Sequence, residues 1–309
     1  MMVLIENLGN RGSLAEAQTP ILDRLAELGR TGHVTTGWKA LPSLEFVWKI
    51  ASRDPFPGLG PLEALSRGLN AFGKTVALAD FVKINKSMEI LEDLKAPQDM
   101  KIRVGSFEFE LKTLKGQSFV IYKGSENVAG NTIKDGAVNK VAPVEAGAKA
   151  TSKALRTFSD ILNEKTGRYP ILKGFGKIKK TPLKVNACMS CDSQKFNGLI
   201  KILGMKKVKD FACVNKALGP AGPHKKIAVF GEKTKSGLEK VDKLLLPLIA
   251  LSEKETVIVC GTTTENTGLD QPMLIAGPKF TPDNVRIFDG SHNGARYSLG
   301  DLAEMLSKL

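Results

Sequence analysis

Short apolar runs recur along the chain, separated by stretches in which apolar residues return every three or four positions. The runs lie near Val3–Ile5, Lys184–Cys188, Ile227–Phe230, Thr256–Cys260 and Met273–Ala276, and they are rich in β-branched residues. A run with little polar alternation reads as a strand buried on both faces. The intervening patterns predict helices at Pro20–Leu28, Leu62–Leu69, Gln194–Leu203, Gly237–Leu251 and Leu299–Leu306. In Gly237–Leu251, the residues Leu238, Val241, Leu244, Leu245 and Leu248 share one face, which is a core stripe with no need of a ligand. Strands alternating with helices predict an α/β protein with a parallel sheet covered on both sides.

Between Lys74 and Thr166 the rhythm changes to period two. Lys101–Leu111 alternates around Gly105-Ser106, which predicts a β-hairpin, and Phe119–Tyr122 adds a strand. A stretch rich in Gly, Asn and Lys follows from Gly124 to Lys140, read as a mobile lid or as plain flexible surface, and then a helix across Ala148–Leu162. At 309 residues the chain exceeds the usual size of a single core, so a large domain carrying an insertion, or two domains, is expected.

Charge alters this picture more than composition does. The formal net charge is +13, and the segment from Lys173 to Lys243 holds 17 lysines, no arginine and five acidic residues. The remainder is almost neutral, so the asymmetry suggests a basic face turned toward a polyanion such as RNA or DNA, or toward a partner protein. A solvated lysine surface of the kind heat-adapted proteins carry is the alternative, although balancing glutamate would accompany it. Lysine without arginine, and 6% aromatic residues, argue for contacts to phosphates rather than base reading or stacking. No run approaches the ~18 apolar residues of a membrane span, and no basic leader precedes a cleavable apolar stretch. The expectation is a soluble, cytoplasmic protein with no membrane partner.

Four cysteines include Cys188-Met189-Ser190-Cys191, a C-x-x-C spacing open to a redox pair, half a zinc site or structural packing. Cys213 offers a third sulfur, but no second C-x-x-C or neighbouring histidine completes a zinc set. Packing is therefore expected, with Cys188 in a strand and Cys191 near a helix start.

Several motifs carry a resemblance. Met2-Val3-Leu4-Ile5 runs into Glu6-Asn7-Leu8-Gly9-Asn10 and then Thr19-Pro20-Ile21-Leu22-Asp23-Arg24-Leu25. Gly60-Pro61-Leu62-Glu63-Ala64-Leu65, Leu199–Met205 and Pro272–Pro278 follow in order. The chain resembles the archaeal-type cofactor-independent phosphoglycerate mutases, a branch of the alkaline phosphatase superfamily. The corresponding family stretches are D-G-L-G-D, T-P-x-L-D-x-L, G-P-F-E-A-L, L-x-x-x-L-G-M and P-V-L-I-Y-G-P. The resemblance implies a three-layer alkaline-phosphatase-like parallel-sheet core, 1–73 and 167–309, with a smaller α+β lid domain, 74–166, inserted into it. It also implies two divalent metals on loops at the carboxyl ends of strands, activating a serine or threonine nucleophile and holding phosphoryl oxygens.

The ligand positions implied by the resemblance carry unexpected residues. The first family aspartate falls on Glu6, still a carboxylate. Gly261 and Thr262 stand where Asp and His belong, and the later family histidine falls on Asn266. The loop Gly231-Glu232-Lys233-Thr234-Lys235-Ser236-Gly237 is short and lacks the family's histidine. Ser43 occupies the nucleophile position, followed by Leu44 instead of aspartate, and a serine without a metal or base is a poor nucleophile at neutral pH. A family phosphate-binding arginine is missing around Val76–Asp80, and another becomes Lys173, a point charge without the bidentate fork. Lys173, Lys177, Lys179 and Lys180 are the candidate anion-binding residues. The chain has three histidines, His33, His224 and His292, all read as lying in loops or the tail.

The expectation is a catalytically degenerate homologue with no resident cofactor, acting as a binding protein through its basic face. A divergent mutase or phosphatase using manganese or another divalent metal, and a sensor of a phosphorylated metabolite, are the alternatives. Fold alone does not define the role.

Overall fold

A computed structural model describes residues 1–6, 8, 11–35, 43–52, 54–178, 187–191, 196–211, 213, 225–231, 234–262, 270–289 and 294–307. The chain divides into two compact units. The first is Met1–Phe56, Leu183–Phe196 and Leu203–Leu309; the second is Pro57–Pro182 and Asn197–Ile202.

The first unit is built on an eight-stranded sheet. In spatial order its strands are Lys206–Lys207, Ala187–Cys191, Lys225–Phe230, Met2–Glu6, Val257–Thr262, Asp270–Ala276, Gly29–Thr35 and Ala295–Ser298. All run parallel except Asp270–Ala276, which is antiparallel to both neighbours. The apolar runs form strands because both faces are covered. Val3, Ile5, Ala228, Val257 and Val259 pack under Leu22 and Leu25 of the helix Pro20–Glu27 and under Leu238 and Val241 of the helix Lys235–Leu244. Met2, Leu4, Ile258 and Cys260, which point the other way, are equally buried.

Two side chains secure the helix starts. Thr234 caps Lys235–Leu244 through the Gly237 N–H at 3.1 Å. Thr19 caps nothing; instead the buried carboxylate of Asp242 accepts the Ile21 and Leu22 N–H groups at 3.1 and 2.8 Å. The helix expected over Gly237–Leu251 is two helices, Lys235–Leu244 and Pro247–Ser252. Pro247 has no N–H to continue the first and takes the opening turn of the second. Leu244, read as part of the core stripe, is exposed at this break.

The second unit is an antiparallel sheet in the order Tyr169–Lys177, Thr75–Ile84, Gln117–Tyr122, Phe107–Leu114 and Met100–Val104, with Ile90–Leu94 also paired to Thr75–Ile84. The hairpin expected at Gly105-Ser106 is present, and Gly105 has φ of 58°, which a glycine adopts without strain. One face is covered by the helix Lys149–Thr166, whose Leu155, Phe158 and Leu162 meet Phe109, Leu111 and Val120. Phe109 lies 4.9 Å from Phe158 and 5.3 Å from Tyr122 between ring centroids. The Gly124–Lys140 stretch carries the short strands Val128–Ala129, Thr132–Lys134 and Ala137–Asn139, and Asn131 exchanges bonds with both Leu172 N and Leu172 O.

This second unit is wider than the 74–166 read from the sequence. Tyr169–Lys177 belongs to it because it pairs with Thr75–Ile84 along its length. The helix Leu59–Ser66 follows because Gly60 lets the backbones touch: a Cβ there would sit 2.6 Å from Val76 O and 2.7 Å from Gly174 O. Among the described residues no helix is long and apolar enough to cross a membrane.

Candidate functional site at the carboxyl edge of the parallel sheet

The first unit's parallel strands end on a common edge, and there the chain departs from apolar residues. Met2–Glu6 and Val257–Thr262 are neighbours with Glu6 opposite Thr262. Strand alternation places Glu6 with Met2 and Leu4, and Thr262 with Ile258 and Cys260, on one face. Both are buried, at 5% and 0% exposure. Gly231 follows the strand Lys225–Phe230, and a Cβ there would stand 3.2 Å from Glu6 Oε2. The missing side chain thus gives the carboxylate room. Gln271 continues the row: it is buried on the strand beside Val257–Thr262, two residues from Met273, which faces Cys260.

Within this row the Thr262 Oγ1 is buried with no hydrogen-bond partner among the described residues. A buried hydroxyl left unpaired costs about 1–3 kcal/mol. Gly261 lies opposite Ile5 and brings no side-chain ligand. The described residues of this edge include the carboxylate of Glu6, the hydroxyl of Thr262 and the amide of Gln271. Among the described residues no group of three or more His, Cys, Asp or Glu could hold a metal ion.

The other expected site residues do not gather here. Ser43 opens the helix Ser43–Ala51, but its side chain is outside the described residues, as are Asn266, Lys179 and Lys180. Lys173 belongs to the second unit, where its Nζ lies 2.5 Å from Asp80 Oδ2, both side chains being half exposed. Lys177 ends the same strand, exposed, opposite Thr75. Between Lys173 and Lys177 the strand carries two glycines in close quarters. Gly174 has φ of 62° at a register shift, and a Cβ on Gly176 would lie 1.7 Å from Pro57 O.

Two expectations are corrected. His33 is not in a loop: it lies buried in the strand Gly29–Thr35, opposite Pro272 and Arg296. Its neighbours Gly29 and Gly32 hid the strand. Cys191 is not at a helix start but closes the strand Ala187–Cys191, while the helix begins at Phe196. Three residues apart on a strand, Cys188 and Cys191 point to opposite faces, so this C-x-x-C does not act as a local pair. Burial pushes the Cys188 thiol above its usual range. His224 and His292 are outside the described residues. Sequence reasoning missed Gln271. Its signal was a polar side chain just before the apolar run Met273–Ala276, on the strand whose reversed direction carries its first residues to the carboxyl edge.

The layered sheet with polar residues gathered at its carboxyl edge is an alkaline-phosphatase-like α/β fold. Known proteins narrow the class. The chain is 23% identical to 2,3-bisphosphoglycerate-independent phosphoglycerate mutase 2 of Methanocaldococcus jannaschii over 375 aligned positions, covering 94% of this chain and 87% of that protein. The cofactor-independent phosphoglycerate mutase of Thermoplasma acidophilum superposes over 100% of this chain and 99% of its own, with a TM-score of 0.59 at 18% identity. The PH0037 protein of Pyrococcus horikoshii superposes over 100% and 97%, with a TM-score of 0.64 at 17% identity. No protein-family profile matches the chain. The chain is thus similar over nearly its whole length to an archaeal cofactor-independent phosphoglycerate mutase and shares the fold of another.

Proposed function

We propose that the protein is a mutase-like scaffold whose work is binding rather than phosphoryl transfer. The observation that carries this reading is the carboxyl edge itself, where Gly261 and the Thr262 hydroxyl, buried and without a partner among the described residues, stand beside Glu6. A neutral hydroxyl and a glycine supply no compensating charge for two dications. The partner we favour is a polyanion such as RNA or DNA. In support, Lys206, Lys207 and Lys209 are all exposed at the outer strand of the first unit's sheet, within the lysine-rich segment.

One observation favours a second reading, a divergent phosphoglycerate mutase: Glu6 retains a buried carboxylate at the end of a central strand, and the curated relative carries that activity in its name. The two separate on measurement. Metal analysis of the purified protein, with a mutase assay in manganese or cobalt, is expected to show no turnover. Metal-dependent turnover that disappears in Ser43→Ala would overturn the binding reading. Anisotropy with a labelled RNA or DNA oligomer is expected to show affinity that falls steeply between low and physiological salt. Neutralising Lys206, Lys207 and Lys209 should flatten the salt slope by about one for every lysine that had been neutralising a phosphate. A thermal shift by 3-phosphoglycerate, with no shift by the oligomer, would instead assign the protein to metabolite sensing.

A further inference from the structure

Three oxygen-bearing side chains stand side by side at the carboxyl edge of the first unit's sheet. Glu6, Thr262 and Gln271 occupy neighbouring strands, share one face by strand alternation, and are buried at 5%, 0% and 4% exposure. Adjacent strands lie roughly 4.8 Å apart, so one small ion or ligand group can touch more than one of these side chains. Gly231 continues the row on the other side of Glu6.

Two independent observations point to a ligand in this row. A threonine hydroxyl beside a carboxylate ordinarily donates to it, yet the fully buried Thr262 Oγ1 has no hydrogen-bond partner among the described residues, so it and Glu6 are out of bonding geometry with each other. The hydroxyl keeps both of its lone pairs to offer. At Gly231 a Cβ would press to 3.2 Å from Glu6 Oε2, and its absence leaves that oxygen open to approach. Charge then selects what approaches. Of the four residues only Glu6 is charged, and a buried carboxylate is tolerated beside compensating positive charge. A dication held by these groups leaves a surplus positive charge in a buried row, and small dications also give up water reluctantly. A monovalent cation leaves no surplus, and neutral oxygens suffice to replace its hydration shell.

We infer that this row binds one monovalent cationic centre, a potassium ion or the primary ammonium of a small amine. Glu6 Oε2 and Thr262 Oγ1 hold it, with the Gln271 amide beside them. Both sources present the same chemistry, a single positive charge that oxygen atoms surround. The inference rests on the reading that this edge is not a two-metal centre, and it names the ligand that such an edge takes instead.

The test is thermal unfolding of the full chain at fixed ionic strength, with tetramethylammonium chloride replaced stepwise by potassium, sodium, ammonium or methylammonium chloride. A saturable rise of about 2 °C or more in the unfolding midpoint is expected with potassium or with methylammonium. A rise with potassium alone of these two assigns an inorganic ion, and a rise with methylammonium alone assigns an organic amine. Glu6→Gln should abolish the rise, and Thr262→Val should remove about half of it or more. In tetramethylammonium chloride Thr262→Val should be no less stable than the parent chain, so that its deficit appears only with the cation. Circular dichroism verifies the fold of each variant. Where potassium acts, crystals soaked in rubidium chloride need no variant and should give an anomalous peak between Glu6 and Thr262. Equal midpoints in all the chlorides sink the inference, as does a rise that both substitutions leave intact or a rubidium peak found only elsewhere. Such a failure leaves the binding reading standing, whereas metal-dependent turnover lost in Ser43→Ala overturns that reading directly.

Discussion

The two units solve burial differently, and the difference decides which polar residues carry information. In the parallel sheet of the first unit both faces of the central strands are sealed, so Met2–Glu6 and Val257–Thr262 are buried at every position. A polar side chain there stands against a strong background, as Glu6 and Thr262 do. The antiparallel sheet of the second unit leaves part of its surface open, and Ile90–Leu94 has no fully buried residue. Charges such as Asp80 and Lys173 pair there at ordinary surface cost, so a lysine in that sheet signals little by itself.

The contrast can be broken by substitution, starting from its largest expected effect. Phe158→Ala removes a fully buried ring packed on Phe109 and should destabilise the second unit by about 3–5 kcal/mol in urea unfolding. A much smaller loss would mean that the antiparallel core is loosely packed. In the first unit, Asp242→Ala strands the Ile21 and Leu22 N–H groups and should cost about 2–4 kcal/mol.

The same carboxylate gives a pH dependence. Burial raises the Asp242 pKa above the ordinary carboxyl range, its bonds from Leu22 and Ile21 offsetting part of that shift, and burial raises Asp23 likewise. Just above about pH 4 the unfolded chain has released these protons while the folded chain still holds them, so stability falls as pH rises through that window and then levels off. Asp242→Asn, whose amide does not titrate, should lose less over the same window. Parallel pH curves for the two proteins would contradict the assignment.

Smaller effects sharpen the comparison at the site. Thr262→Val keeps the shape and removes a hydroxyl that has no partner among the described residues, so it should raise stability by about 1 kcal/mol. A loss of similar size would show that the hydroxyl has a partner in the folded protein. Lys173→Met breaks only the exposed pair with Asp80 and should change the unfolding midpoint by less than about 1 kcal/mol in free energy.

Much of this was legible in the chain because each signal was local. Apolar runs marked the sealed strands, and period-two alternation around Gly105-Ser106 marked the hairpin. What escaped depended on neighbours distant in sequence. Gly29–Thr35 has no apolar run. Its glycines look like a loop, yet a Cβ on Gly29 would lie 2.2 Å from Ile275 O and one on Gly32 2.2 Å from Ala295 O, so crowding by the flanking strands selects them. Within Gly124–Lys140, Thr132–Lys134 and Ala137–Asn139 form a hairpin around Asp135-Gly136, both at positive φ, a local signal passed over in the sequence, whereas the bonds of Asn131 to Leu172 are not announced by any local pattern. At the site, Glu6, Gly261 and Thr262 were found through motif order, whereas Gln271 needed the direction of its strand.

The outermost strand of the parallel sheet, Lys206–Lys207, exposes both of its side chains. Any second sheet approaching that rim must bring its own backbone past two ammonium groups, a standard defence against chains adding to one another end on. Removing these charges to probe polyanion capture therefore also lowers the guard against clumping. Light scattering should accompany that experiment, so that lost capture is not mistaken for lost protein.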